Sequence, residues 1–231
     1  MIKRPANGRG RTQFDWLDSW HSFSFGDYYD PENMGFKSLR VINDDIVAPG
    51  KGFGMHPHRD AEIFTYVIEG QLQHKDSIGN GSIIKPGDLQ YMSAGRGVMH
   101  SEFNPSDKNR VHLLQVWLLP KIKGGEPKYA EKALGTAAAS NALTLLFSGS
   151  ARAGAMEIRA DADIYFGKLD AGRDLEVRPG PDRGTWLHVI RGQIETAGQT
   201  LRPGDGAAIT NQAEFQIKAN EDAEFLTFVM A

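Results

Sequence analysis

Val67-Ile68-Glu69-Gly70-Gln71-Leu72 returns later in the chain as Val189-Ile190-Arg191-Gly192-Gln193-Ile194. Each copy is followed by a second shared block, Lys85-Pro86-Gly87-Asp88 and Arg202-Pro203-Gly204-Asp205. The blocks are turn chemistry: proline presets φ and glycine accepts φ > 0. The order is the same in both copies, with a shorter hairpin in the second. One supersecondary plan used twice implies two like domains. Elsewhere the 26 glycines and 11 prolines fall between short apolar runs, the texture of many short strands joined by turns. Asn80-Gly81 marks a hairpin between residues 71–76 and 82–85. Tyr129–Ala139 is the best helix candidate, and a turn is expected near Asp30–Met34. The expected class is all-β. An amino-terminal domain spans 1–125, and a linker with a second domain spans 126–231, the connector lying within Pro120–Asn141.

The chain has 231 residues, enough for two small β domains each with a core of its own. A net charge of −3 and ordinary apolar content suggest neither disorder nor a nucleic-acid partner. Cysteine is absent, so a disulfide framework is excluded and any metal must be held by nitrogen and oxygen. No apolar run is long enough to span a bilayer. Met1–Arg11 is basic with no apolar stretch behind it, a poor secretion signal, so a cytoplasmic monomer is expected.

Two stretches carry chemistry: Met55-His56-Pro57-His58 and Met99-His100-Ser101-Glu102. Side chains two apart on a strand share a face, so His56 pairs with His58 and His100 with Glu102. If the two strands are neighbours, three imidazoles and a carboxylate converge on one point, a ligand set for a divalent transition metal. Glycines flank both motifs (Gly50, Gly52 and Gly54; Gly95 and Gly97) and allow close backbone approach. Four protein ligands leave two positions free on an octahedral ion, unlike a closed structural zinc site. Of the other histidines, His74 is expected to be exposed on a hairpin, His21 packed and hydrogen-bonded, and His112 turned to an interior. His188, alone in the second copy, cannot rebuild the first-copy cluster.

The spacing from Gly50 to His56, then His58 and Glu62, resembles the first cupin motif, and Gly97-Val98-Met99-His100 with Asn104 resembles the end of the second. More narrowly, His56-Pro57-His58-Arg59 and Ala94–Glu102 resemble the signatures of the pirins, which are bicupins. Trp20–Gly26, Tyr29-Asp30-Pro31 and Leu39–Asn43 resemble the bacterial branch of that family, and the likeness covers most of residues 12–120. It implies two tandem antiparallel jelly-roll barrels. It also implies a metal held by His56, His58, His100 and Glu102. Glu62, the carboxylate of the generic motif, stands one residue too far from Gly70, and it shares the histidine face only if the strand runs unbroken from His58.

For bacterial members the resemblance implies quercetin 2,3-dioxygenase activity: O2 cleaves a flavonol with release of carbon monoxide, and Glu102 is the candidate general base. Iron is the first expectation; nickel, copper, manganese, cobalt and zinc suit the same donors. Phe53, Met55, Phe64, Met92, Met99 and Phe103 are the candidates for a flavonol cleft. The alternatives are an iron-binding regulator acting through protein partners, as animal pirins are described, another cupin oxidase or isomerase, and a catalytically silent bicupin.

Overall fold

The computed structural model describes residues 1–134 and 138–231. Among them the one helical segment is the 3₁₀ turn Ala6–Gly8, and no helix is long and apolar enough to cross a membrane. The chain divides into two compact units. One comprises Gly10–Gly35 and Leu39–Gly135; the other comprises Met1–Arg9, Phe36–Ser38 and Thr136–Ala231. Against the expected division at residue 125, the first nine residues join the second unit, because β1 (Ile2–Arg4) pairs with Gly206–Ile209.

In the first unit the strands are β2 (Gly10–Phe14), β3 (Leu17–His21), β4 (Leu39–Val47), β5 (Gly52–His58), β6 (Glu62–Glu69) and β7 (Leu72–Asp76). They continue with β8 (Gly81–Ile84), β9 (Asp88–Ser93), β10 (Val98–Phe103), β11 (Val111–Leu118) and β12 (Lys128–Ala133). A seven-stranded sheet runs β12-β9-β6-β11-β4-β3-β2, and a four-stranded sheet runs β5-β10-β7-β8. Leu17, Val47, Val67 and Leu113 of the large sheet bury against Leu72 and Ile84 of the small one. The second unit repeats the seven-plus-four plan, with a core of Leu187, Val189, Ile194, Ile217 and Phe225 among others.

The internal echo has a backbone cause. Gly70 and Gly192 both sit at positive φ, +80° and +69°. A Cβ there would lie 2.5 Å from the Arg110 carbonyl oxygen and 2.0 Å from that of Asp222, so no side chain fits either turn. The expected turn is present near Asp30, with Asn33 N–H donating to the Asp30 carbonyl at 3.0 Å. Asp76 caps the 77–80 loop of the expected hairpin by accepting from Asn80 N at 2.8 Å.

The expected helix over Tyr129–Ala139 is corrected. Its first residues lie in β12, which pairs antiparallel with β9 along Lys128–Ala133, while residues 135–137 lie outside those described. An open edge on β9 satisfies a full strand of backbone groups, and this outweighs the helical preference of alanine.

Candidate metal centre

β10 is the middle strand of the site. It pairs with β5 on one side, placing His100 opposite His56 and Val98 opposite His58. It pairs with β7 on the other, placing Glu102 opposite His74 and His100 opposite Asp76. The register between β10 and β5 shifts between His100 and Glu102. A Cβ on Gly52 would stand 2.2 Å from the Glu102 carbonyl oxygen, so this approach of the two backbones requires glycine.

The structure brings His56, His58 and His100 together, with one ligand nitrogen from each within 4.8 Å of the others. Their ring centroids are 4.5 to 4.7 Å apart. His56 Nδ1–H donates to the Gly54 carbonyl at 2.7 Å, which fixes the tautomer and leaves Nε2 bare. That Nε2 lies 3.1 Å from His100 Nε2. Glu102 does not join this trio; its carboxylate falls within 4.8 Å of His100 and His74, forming a second cluster that shares His100.

His74 is therefore not exposed as expected but fully buried, its ring centroid 5.2 Å from that of His100 and stacked on Tyr129 at 4.8 Å. Its partner in sequence parity, Leu72, is also fully buried, so the inward face of β7 was legible. His21 is packed as expected, at 2 % exposure. His112 sits half-buried, its Nε2 2.6 Å from Asp44 Oδ1. Glu62 lies beyond a break in the strand at Asp60, whose φ is +52°. It accepts from Tyr91 Oη at 2.5 Å and Ser93 Oγ at 2.6 Å, a satisfied carboxylate at a strand start.

Glu102 is 3 % exposed and held from the large sheet. Gln115 Nε2 donates to its Oε2 at 2.7 Å. Thr65 Oγ1 lies 3.3 Å from Glu102 Oε1 and 3.0 Å from Gln115 Oε1. A threonine hydroxyl has one proton, and the shorter contact takes it. Oε1 of Glu102 is left with the weaker protein contact and is the oxygen free to meet an ion or a proton.

Burial is the main cause that lowers His58 to about 4 and His100 to about 3; neighbouring imidazoles add to it, while Glu102 and Asp76 respectively oppose it. Both rings are neutral at pH 7, the form that ligates a metal. Between about pH 6.5 and these folded values the unfolded chain binds protons that the folded one does not. This contribution to stability is therefore complete above about pH 6.5 and is lost as the pH falls toward 4. Asp45 works in the opposite sense. Burial raises it to about 7, so its contribution is lost as the pH rises from about 4 through 7. Comparing variants isolates the imidazole part. The melting temperature of the metal-free His100→Asn protein should fall less between pH 7 and pH 4 than that of the metal-free parent. An equal fall in both would refute the argument.

A cavity of about 260 Å³ opens beside the cluster, lined by His56, His58 and Glu102 and by Phe14, Leu17, Phe25, Phe53 and Trp117. Of the six side chains expected to form a cleft, Phe53 lines it. Phe64 and Met92 are buried in the core, and Met55, Met99 and Phe103 are exposed. The aromatic walls come instead from β2, the loop after β3, and β11, which no local pattern around the histidines signals.

Comparison with known proteins agrees with this geometry. Residues 4–118 match the pirin family, and residues 145–230 match the quercetinase C-terminal cupin domain. The chain is 42% identical over 225 residues to a protein of Escherichia coli K12 named quercetin 2,3-dioxygenase, covering 97% of this chain and 96% of that one. It is 40% identical to a pirin-like protein of Caulobacter vibrioides, with 97% of each covered. A crystal structure of the Escherichia coli pirin YhhW in complex with nickel(II) superposes with a TM-score of 0.95 at 41% identity, covering 99% of this chain and 98% of that one. Neutral imidazoles clustered around bare nitrogens, beside a buried carboxylate, fit a divalent metal ion. With both halves matched and the two sandwich units in place, the chain belongs to the pirin family of bicupins.

Proposed function

We propose that this protein is a metal-dependent quercetin 2,3-dioxygenase, which opens a flavonol with O2 and releases carbon monoxide and a depside. The observation that carries the reading is the position of the cavity: aromatic side chains form its walls and the histidine cluster lies at its edge. A flat apolar ligand suits such walls better than a sugar or a small acid does. The names of relatives at about 40% identity support the same chemistry.

His56, His58, His100 and Glu102 are the side chains that would hold the ion, with iron the first expectation and nickel supported by the relative's structure. When bound, the ion supplies Lewis acidity that lowers the pKa of a coordinating hydroxyl. The protein's own work lies around it. Phe14, Phe25, Phe53 and Trp117 bind the ring system and exclude water. Glu102, oriented by Gln115, accepts the proton of the flavonol 3-hydroxyl at Oε1. Loss of that proton makes the ring electron-rich and prepares it for O2.

The test is aerobic mixing of the metal-loaded protein with quercetin. The flavonol absorption band should decay with matching oxygen uptake and carbon monoxide release, in proportion to metal content. A loaded protein that leaves the band intact would overturn the reading.

A further inference from the structure

The wall of the cavity contributed by β3 and β4 is polar, and metal binding does not account for it. Thr65, Gln115, Asn43 and His21 stand opposite one another on β6, β11, β4 and β3, forming a polar row across the inner face of a buried sheet. Ser19 and Asp45 pair one step further along. Polar groups buried without partners are destabilising, so such a row needs a reason. The half at Gln115 and Thr65 has one, since it holds Glu102. The half at Asn43, Asp45, Ser19 and His21, each no more than 3 % exposed, makes no hydrogen bond to the histidine cluster among the described residues.

These side chains fix one another instead. Thr12 Oγ1–H donates to His21 Nε2 at 2.9 Å, and His21 Nδ1–H donates to Asn43 Oδ1 at 2.8 Å. Ser19 Oγ–H donates to Asp45 Oδ1 in a short contact. Asn43 Nδ2 and Asp45 Oδ2 are left with no hydrogen bond among the described residues, on side chains that line the cavity. The histidine cluster is carried by the small sheet and this pair by the large one. Both groups line the same cavity, so a ligand seated there can meet the cluster and the pair at once.

We propose that Asn43 and Asp45 are specificity-determining residues that hydrogen-bond a ring hydroxyl of the substrate other than the one presented to the metal cluster. The site would then select a polyhydroxylated flavonol over one with bare outer rings. The inference rests on the proposed function and adds the substituent pattern that the site requires. Burial raises the Asp45 carboxyl to about 7, so near neutrality a large fraction carries a proton and can donate as well as accept. A preorganised donor and acceptor reject an analogue that lacks the matching hydroxyl, because both are then left buried and unpaired.

The test is anaerobic binding to the metal-loaded protein, which prevents turnover, with quercetin and with 3-hydroxyflavone as probes. The second keeps the 3-hydroxyl and carbonyl but has no other hydroxyl. The parent should favour quercetin by about tenfold or more. In Asp45→Leu and Asn43→Leu the ratio should fall to within about threefold of unity, with metal content unchanged by elemental analysis. Asp45→Asn, which keeps a donor and the shape, should restore most of the preference. If either leucine variant does not fold, Asn43→Ala and the parent's own ratio carry the test. A parent that binds both probes alike, or variants that keep the parent's ratio, would overturn this inference alone. A parent that binds neither probe would overturn the proposed function with it.

Discussion

His56→Ala should yield a folded protein that has lost its metal and at least about 100-fold of its flavonol turnover. The magnitude follows from measured losses of 10–100-fold when only the outer partner of a ligating histidine is removed; loss of the ligand itself costs at least as much. His56 suits the experiment because it is half-buried on β5 and truncation leaves no sealed cavity. Its Nε2 stands 3.1 Å from that of His100, so it is also the ring whose loss opens the cluster most directly. Two readouts separate metal loss from misfolding. Metal-free parent and metal-free variant should melt together. Added metal should raise the melting temperature of the parent alone, since a ligand at 100 times its Kd adds about 2.7 kcal/mol. A variant purified with one equivalent of metal would show that the three-imidazole cluster is not the binding site.

The strand plan and the shared face of His56 with His58 were legible because both rest on parity and turn chemistry, which are local properties. Gly70 and Gly192 illustrate this: the same residue in the same word of sequence meets the same backbone obstruction in each unit. That His100 joins the two histidines depends on β5 pairing with β10, which the sequence offered only as a condition and through the family resemblance. What escaped reading depends on register between distant strands. The position of His74 beside His100 follows from the pairing of β7 with β10, and no count along the chain gives that partner. Its inward face was available from Leu72, yet its destination was not. The aromatic walls escaped for the same reason, since Phe14 and Trp117 come from β2 and β11. Strand β4 did carry a signal. Leu39, Val41, Asn43, Asp45 and Val47 share one buried face, and two polar residues inside such a run ask for a partner or a ligand. Tyr129–Ala133 shows the converse, a segment of helical composition whose structure is set by the edge it completes.

Glu102→Gln, assayed at saturating metal, should lower kcat by about 10²–10⁴-fold, the range associated with loss of a general base. Glutamine keeps the length of the side chain, and its carbonyl oxygen can still accept from Gln115 Nε2, so the support from the large sheet survives. What is lost is the carboxylate at Oε1, the oxygen with the weaker protein contact. The pH profile distinguishes a base from a ligand. If Glu102 takes the 3-hydroxyl proton, the pH profile of kcat/KM should differ between variant and parent, whatever the metal content. If Glu102 serves the metal alone, saturating metal should restore both the rate and the profile. Glu102→Ala extends the comparison by freeing Gln115 Nε2, which then faces the cavity without its carboxylate partner. Full activity with an unchanged pH profile in either variant would remove Glu102 from the chemistry. The flavonol would then have to arrive already deprotonated or lose its proton to another group lining the cavity, and the polar row on the large sheet is where that group would be sought.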